Sequence, residues 1–157
     1  MANLINKTNQ RKTILITGGT SGIGYQSVIA LINKGYNVIL ICRNQQRVSQ
    51  VLIKLRKDLN LSSDLNDRLD LRIADLSDLS SIENLCNQLL SESTSVHTIV
   101  LNAGLQYTGA KDPIFSKQGV ELTFAVNHMA HQYLIQRLYK LLPTDVDSRV
   151  VITSSEV

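Results

Sequence analysis

Residues 17–24, near the start of the sequence, read Thr-Gly-Gly-Thr-Ser-Gly-Ile-Gly, a pattern suited to holding a phosphate group. They follow the apolar run 13–16 and open an amphipathic stretch that ends at Gly35, so a strand, a turn and a helix are predicted. The first N–H groups of a helix lack partners and its dipole attracts anions, while glycine lets a pyrophosphate approach the backbone. The spacing is G-x-x-x-G-x-G rather than the commoner G-x-G-x-x-G. A glycine-rich turn by itself is weak evidence for a phosphate site, and the alternative is an ordinary tight connection between a strand and a helix.

Polar or chemically distinctive residues also follow the other predicted strands, where a parallel sheet binds its ligands. These strand ends carry Cys42-Arg43, Asp75-Leu76, Asn102-Ala103-Gly104 and Ser154-Ser155. Asn127 lies in the longest predicted helix. The groups come from distant parts of the chain, so their use in one site depends on the fold.

The elements that must position them alternate between strand and helix. Strands are predicted at 13–16, 37–41, 69–74, 98–101 and 149–153. Helices are predicted after the glycine turn, at 45–59, after a cap at Ser77 or Asp78, and from 120 to 142 before Pro143. In the first helix Ile23, Val28, Leu31 and Ile32 are expected on one face. Near-continuous apolar runs in the strands predict burial on both sides of the sheet.

This alternation predicts an α/β fold with a doubly wound parallel sheet of about five strands and helices on both faces. The chain has 157 residues and neither an internal repeat nor a low-complexity linker. We therefore expect one domain over residues 12–157, preceded by a flexible segment at residues 1–11.

Composition argues against several classes of function. The net charge of +3 comes without a dense basic block, and the few aromatic residues are not interleaved with basic ones, so nucleic-acid binding has no support. Cys42 and Cys86 lack the spacing of a metal site or a disulfide framework. The sequence shows no signal peptide and no apolar stretch long enough to span a bilayer, which predicts a cytoplasmic protein.

Five motifs in chain order give the sequence a resemblance to the short-chain dehydrogenase/reductase family. They are T-G-x-x-x-G-I-G, D-L after the third strand, N-A-G after the fourth, Asn127 in the fourth helix, and S-S after the fifth strand. The resemblance runs from about Lys12 to the end of the chain. It implies a Rossmann-type sheet, incomplete here because the last strands of the family are absent, and an oxidoreductase acting on a small-molecule substrate, with homo-oligomerisation left open.

A finer resemblance points to one branch of the family. Asn127-His128-Met129-Ala130-His131 is similar to the N-H-x-x-H of retinol dehydrogenases and light-dependent protochlorophyllide reductases, and Cys42-Arg43-Asn44 resembles the C-R-N/D of that branch. The segments 110–115 and 119–122 look closest to the protochlorophyllide reductases. His128 and His131 themselves are interpreted as structural, because they share a helix with Phe124, Tyr133 and Leu134.

The charge at the end of the second strand predicts the cofactor. A NAD-selective site uses a carboxylate there to bind the ribose 2′-hydroxyl, whereas this sequence has neutral Cys42 followed by Arg43. The guanidinium offers a fork of donors to a 2′-phosphate, so NADPH is preferred over NADH. The alternative is that Arg43 is a solvated turn residue.

The resemblance also implies roles for the remaining residues. The glycine turn contributes Gly18, Thr20, Ser21, Gly22, Ile23 and Gly24 to the cofactor site. Asp75 and Leu76 would border the adenine, and Asn102, Ala103 and Gly104 the nicotinamide ribose. Ser155 would orient the substrate, and Asn127 would anchor a water of the proton relay. A helix cap at Asp75 and a capped strand end at Ser154 and Ser155 are the structural alternatives. No metal site is predicted.

One departure from the family pattern concerns the proton donor. The family has a Tyr, and a Lys four residues later, after the Ser, but this sequence ends two residues after Ser155. The earlier Tyr107-x-x-x-Lys111 precedes the Ser and is interrupted by Gly109, so we reject it. A fragment of a longer reading frame is the simplest explanation. For a natural product that ends here we expect weak cofactor binding, association through the exposed edge of the fifth strand and no hydride transfer.

These observations are compatible with three functions. The first is an NADP(H)-dependent oxidoreductase seen as its N-terminal part, reducing a C=O or C=C. The second is a truncated, non-catalytic nucleotide-binding remnant of the family. The third is another Rossmann enzyme, such as an epimerase or methyltransferase. Asn127 and the Ser154-Ser155 strand end argue against the third, and the first two stay open.

Overall fold

The computed structural model describes residues 11–59, 65, 67–106, 111–144 and 147–154, and the structural statements below concern these residues. The strands are β1 Thr13–Thr17, β2 Asn37–Cys42, β3 Leu69–Ile73, β4 Thr98–Leu101 and β5 Arg149–Ile152. The helices are α1 Gly22–Asn33, α2 Gln45–Leu59, α3 Leu79–Ser91 and a fourth helical region, α4, at 122–141. Of the predicted flexible segment at 1–11, all but Arg11 lies outside the described residues.

The described strands form one parallel sheet in the order β3-β2-β1-β4-β5. The chain winds outward from β1 to β3, then returns to place β4 on the other side of β1. This reversal is the topological switch point, where a doubly wound sheet leaves a crevice at the carboxyl ends of its strands. The predicted α/β fold class is confirmed.

Successive strand residues point to opposite faces and build two apolar clusters. One cluster joins Leu15 and Ile39 of the sheet to residues of α3 and α4. The other joins Ile16 and Leu40 to residues of α1 and α2. The clusters explain why β1 and β2 are continuous apolar runs, since both of their faces are covered.

The expectation that strands are buried on both sides is wrong for β5. The exposed fractions of Val150, Val151 and Ile152 are 39%, 45% and 64%. Among the described strands, β5 pairs with β4 alone. None of its residues belongs to either of the two apolar clusters described above. An apolar sequence run therefore predicts the strand but not its burial.

The predicted apolar face of α1 is also wrong at one position. Ile23 is 76% exposed, whereas Gly24, Tyr25, Val28 and Ile32 are buried. Five residues separate Ile23 from Val28, which is about 140° around a helix of 3.6 residues per turn. Ile23 therefore points away from the sheet at the first turn of α1.

Helix α4 begins two residues later than predicted and is not uniform. Glu121 caps it by accepting from the N–H groups of Thr123 and Phe124 at 2.9 and 2.8 Å. A single α turn, Leu122–Phe124, leads into a π-helical segment, Ala125–Met129, then the α-helix Ala130–Leu138 and a 3₁₀ turn, Tyr139–Leu141. No helix in the described ranges is both long and apolar enough to cross a membrane.

Candidate functional site

The turn between β1 and α1 packs against the residues that follow β4. Gly18 has a φ of +68°, and a Cβ built on it would lie 2.6 Å from the Cα of Ala103. A Cβ on Gly24 would lie 2.3 Å from the carbonyl oxygen of Gly18. Both positions admit only glycine, so the sequence spacing serves close backbone packing as well as ligand approach.

The first turn of α1 is open to a ligand. Its N-cap residue, Ser21, makes no side-chain cap hydrogen bond, and the first turn carries no acidic residue. Gly22 has a φ of +54°, and a Cβ there would meet no atom within 4 Å. In α3, by contrast, Asp78 accepts from the N–H of Ser80. The start of α1 therefore fits the pyrophosphate that the sequence predicts there.

Thr17 and Asn102 join the switch-point strands at their carboxyl ends. The Thr17 hydroxyl accepts hydrogen bonds from the N–H groups of Asn102 and Ala103, both at 3.0 Å. The amide nitrogen of Asn102 donates to the carbonyls of Thr17 and Gly18 at 3.3 Å. The Thr153 hydroxyl reaches the Asn102 side-chain oxygen at 3.2 Å from the end of β5. This network joins the carboxyl ends of β1, β4 and β5.

Arg43 and Asp75 meet across the ends of β2 and β3. The Nε of Arg43 lies 3.2 Å from Asp75 Oδ2, and the two side chains are 66% and 34% exposed. Asp75 Oδ1 accepts from the N–H and the hydroxyl of Ser77 at 2.9 and 2.7 Å. Burial disfavours the Asp75 carboxylate, but the Ser77 hydrogen bonds and the Arg43 charge outweigh it and hold its pKa below the ordinary value.

The interpretation of Asp75 as the cap of α3 is wrong, because Asp78 occupies the N-cap position. The alternative interpretation of Arg43 as a solvated turn residue stays open, because its side chain is 66% exposed even though its guanidinium pairs with Asp75.

A cleft of about 150 Å³ opens between these groups. The predicted residues that line it are Gly18, Thr20, Arg43, Asp75, Leu76, Ala103 and Gly104. Predicted residues that lie outside its lining are Ser21, Gly22, Ile23, Gly24, Asn102 and Asn127. Asn102 and Gly24 shape the cleft from behind, through the contacts given above.

Sequence reasoning missed part of the wall. The added lining residues are Ile41, Ala74, Ser77, Leu105, Leu122 and Val126. Ala74 and Ser77 flank the predicted pair Asp75-Leu76, and Leu122 and Val126 are four residues apart at the start of α4. Two sequence features could have indicated these residues once the helix that faces the cleft was known. One is the position of Ala74 and Ser77 next to the predicted pair, and the other is the i, i+4 spacing of the apolar residues Leu122 and Val126.

Asn127 lies in the π-helical segment of α4 and is tied to the chain after β4. Its Oδ1 accepts from the N–H of Leu105, and its Nδ2 donates to the Leu105 carbonyl, both at 2.9 Å. A π-turn interrupts the regular hydrogen-bond ladder and is frequent at functional sites. Asn127 thus stands beside the predicted nicotinamide end of the cleft, next to Gly104.

The predicted catalytic Ser155 lies outside the described residues, as do residues 107–110 with the rejected Tyr107. Its neighbour Ser154 is exposed just beyond β5. Of the two histidines in α4, His128 is exposed and its ring centroid lies 5.1 Å from that of Phe124, while His131 is buried.

Comparison with known proteins identifies the family. A family model described as short chain dehydrogenase matches residues 12–157. Mouse retinol dehydrogenase 14 is 34% identical over 154 residues, covering 93% of this chain and 44% of its own. The human WW domain-containing oxidoreductase is 31% identical over 145 residues, covering 92% of this chain and 33% of its own. The chain thus spans less than half the length of these relatives.

A solved structure confirms the architecture. The Pseudomonas aeruginosa RhlG/NADP active-site complex superposes with a TM-score of 0.68 at 24% identity, over 88% of this chain and 52% of that one. At this identity the likeness concerns the fold. Taken with the family model and the curated relatives, it confirms the prediction from the motifs: the chain belongs to the short-chain dehydrogenase/reductase family.

Proposed function

We propose that the cleft binds NADP(H), with the phosphates at the start of α1 and the adenosine end between Arg43 and Leu76. The glycine turn fits a pyrophosphate because two of its glycines allow close backbone packing and Gly22 faces open space. Apolar side chains at Ile41, Ala74 and Val126 suit the face of an adenine. When bound, the nicotinamide supplies or accepts a hydride.

The position of Arg43 is the observation that carries the preference for NADPH. Arg43 lines the cleft at the end of β2, where the sequence has Cys42 in place of the carboxylate of a NAD-selective site, and it neutralises the acid beside it, Asp75. Its ion pair with Asp75 uses the Nε atom, so the outer N–H groups of the guanidinium are directed elsewhere. Asp75 thereby orients the guanidinium for a charge-assisted contact. The Pseudomonas aeruginosa RhlG/NADP active-site complex adds support from a protein of the same fold.

We propose that the family's oxidoreductase chemistry, applied to a small-molecule C=O or C=C, is the function of the whole protein. In this assignment Asn127, in the π-helical segment, anchors a water of the proton relay, and Ser155 orients the substrate. The family's Tyr-x-x-x-Lys after the Ser is not among the 157 residues, so these residues alone are proposed to bind the cofactor without transferring hydride. Cytoplasmic location and homo-oligomerisation stay predictions.

Replacing Arg43 with Ala tests the cofactor assignment. We expect the Kd for NADPH to rise tenfold or more, since a charge-assisted hydrogen bond contributes about 1.5–3 kcal/mol. The Kd for NADH, which has no 2′-phosphate, should change less than about twofold in the same variant. Titration of the intrinsic or nicotinamide fluorescence measures both.

Arg47 provides the matched control. It is an exposed arginine on the first turn of α2, and it does not line the cleft. Arg47→Ala should leave both affinities unchanged. An equal loss of NADPH and NADH affinity in Arg43→Ala, or tighter binding of NADH than NADPH by the unchanged protein, would contradict the assignment.

A further inference from the structure

The buried hydroxyl of Thr17 contacts three groups. Thr17 has no exposed surface, and its Oγ1 accepts from the N–H groups of Asn102 and Ala103. The third group is the Nε2 atom of His131, at 3.2 Å. His131 is 5% exposed and comes from α4, 114 positions further along the chain. None of the roles predicted from the sequence includes this contact between Thr17 and His131.

The hydrogen-bonding capacity of a hydroxyl settles the direction of the bond to the ring. A threonine hydroxyl has two acceptor positions and one proton to donate. Two backbone N–H groups occupy both acceptor positions of Thr17, so the proton is what remains for His131. Nε2 must then be unprotonated, which makes His131 a neutral imidazole with its proton on Nδ1.

The other side of the ring faces the segment that carries Asn127. The backbone of Asn127, four residues before His131, forms a hydrogen bond that favours a proton on the ring, as a carbonyl acceptor does. The same residue binds Leu105 through its side chain. His131 thus contacts the end of β1 through Nε2, and the backbone of the π-turn residue Asn127 favours its protonated form.

We propose that His131 is a positioning residue of the cofactor cleft: as the neutral tautomer with its proton on Nδ1, it accepts from Thr17 and so fixes the backbone at Asn102 and Ala103 relative to α4. Ala103 lines the cleft, and Gly18 packs on it. The effect on cofactor binding rests on the proposed function. The hydrogen-bond geometry does not.

Protonation of His131 would break this link. A proton on Nε2 would place an N–H donor against an oxygen whose two acceptor positions are already filled. Burial disfavours the protonated ring and lowers the pKa of His131. The backbone hydrogen bond of Asn127 acts in the opposite direction, and the charge of His128 on the same helix lowers the pKa further, so the net shift is downward. The link therefore persists at neutral pH and is lost in acid, below the ordinary histidine value of about 6.5.

NMR of the ¹⁵N-labelled chain without cofactor tests the tautomer and the positioning together. At neutral pH the His131 ring should show a protonated Nδ1 and an unprotonated Nε2. On acidification, the amide resonances of Asn102 and Ala103 should shift with the same midpoint as the His131 ring, below 6.5. A protonated Nε2 at neutral pH would overturn the proposal. So would amide resonances of Asn102 and Ala103 that do not shift as the His131 ring titrates.

Variants at His131 separate positioning from mere filling of space. His131→Gln places an amide oxygen that can accept from Thr17, so it should abolish the pH-dependent amide shifts while keeping the Kd for NADPH within about twofold of the unchanged protein. His131→Leu fills the site without an acceptor and should weaken NADPH binding about five- to tenfold. Equal affinities for the Gln and Leu variants would overturn the proposal.

His128→Gln is the matched control, since it replaces an exposed histidine three positions earlier on the same helix. It should leave NADPH affinity at neutral pH unchanged and move the His131 midpoint slightly upward, because one neighbouring charge is gone. If the unchanged protein binds no NADPH, the proposed function fails, and the amide titration without cofactor still decides whether His131 positions residues 102 and 103.

Discussion

At the scale of single residues, Gly24 shows how the phosphate turn depends on the absence of a side chain. A Cβ there would lie 2.3 Å from the Gly18 carbonyl oxygen and 2.4 Å from the Asn102 amide nitrogen. The first of these atoms belongs to the backbone and the second to a side chain held by two hydrogen bonds, so neither moves cheaply. Gly24→Ala should therefore lower the free energy of unfolding by about 3 kcal/mol, measured by urea denaturation.

Gly104 is the control for this prediction. It is exposed, and an added Cβ would meet its nearest atom, Asn127 Oδ1, at an ordinary 3.7 Å. Gly104→Ala should change the free energy of unfolding by less than about 0.5 kcal/mol. If both substitutions cost the same, the close packing at Gly24 does not determine stability.

At the scale of elements, the start of α3 is fastened to the loop before α4 through one carboxylate. Asp78 caps the helix by accepting from Ser80 N–H, and it also pairs with Lys117 and accepts from Gln118. The Lys117 hydrogen bond is the main reason that the pKa of Asp78 is lowered. Leu76 and Ser77 of the cleft wall directly precede this cap, so its loss should loosen that wall.

Substitution of Asp78 separates the cap from the charge. Because the folded-state pKa is lowered, the unfolded chain takes up the proton first, so the stabilisation is complete above about 3.9 and is lost as the pH falls below it. Asp78→Asn keeps an acceptor for the cap but has no charge, so its urea midpoint should lie below that of the unchanged protein at pH 7 and approach it in acid. Asp78→Ala should have the lowest midpoint at pH 7.

Urea midpoints of the three proteins between pH 7 and 2.5 check this prediction. A difference between Asp78→Asn and the unchanged protein that stays constant with pH would contradict the contribution of the charge.

The elements were largely predictable because their signals are local. Apolar β-branched runs predict β1 and β2, and the limits of α2 agree with the prediction at 45–59. The π-turn at Asn127 was not predictable, since it depends on packing against the chain after β4 rather than on side-chain periodicity. Ile23 is a different case, because its position about 140° from Val28 around α1 follows from the helical repeat, so its exposure could have been predicted from the sequence.

At the scale of the molecule, the candidate site is assembled from contacts that no sequence spacing reveals. The strand ends were predictable as a group because parallel strands end on one edge. The pairing of Arg43 with Asp75, 32 positions apart, and of Thr17 with His131, 114 apart, depends on the strand order and on which helix covers β1. The chemistry of the residues was thus available from the sequence, but their partners were not.

The exposed edge at β5 depends on the order of all the strands that the structure describes, and it carries the last prediction. Apolar side chains on β5 are exposed, and its outer edge has no partner among the described strands. Such an edge pairs readily with another chain, and a lysine on it opposes pairing. Ile152→Lys should therefore shift the 157-residue chain toward the monomer, as measured by size-exclusion chromatography with light scattering.

Ile53→Lys distinguishes strand pairing from general hydrophobic association. Ile53 is 70% exposed on α2, close to the 64% of Ile152, but it lies in the interior of a helix, where backbone groups are hydrogen-bonded within the helix and cannot pair with a strand. If association proceeds through the β5 edge, Ile53→Lys leaves the monomer fraction unchanged while Ile152→Lys raises it. Equal effects would show that exposed apolar surface alone drives association, and that the backbone of β5 takes no part in it.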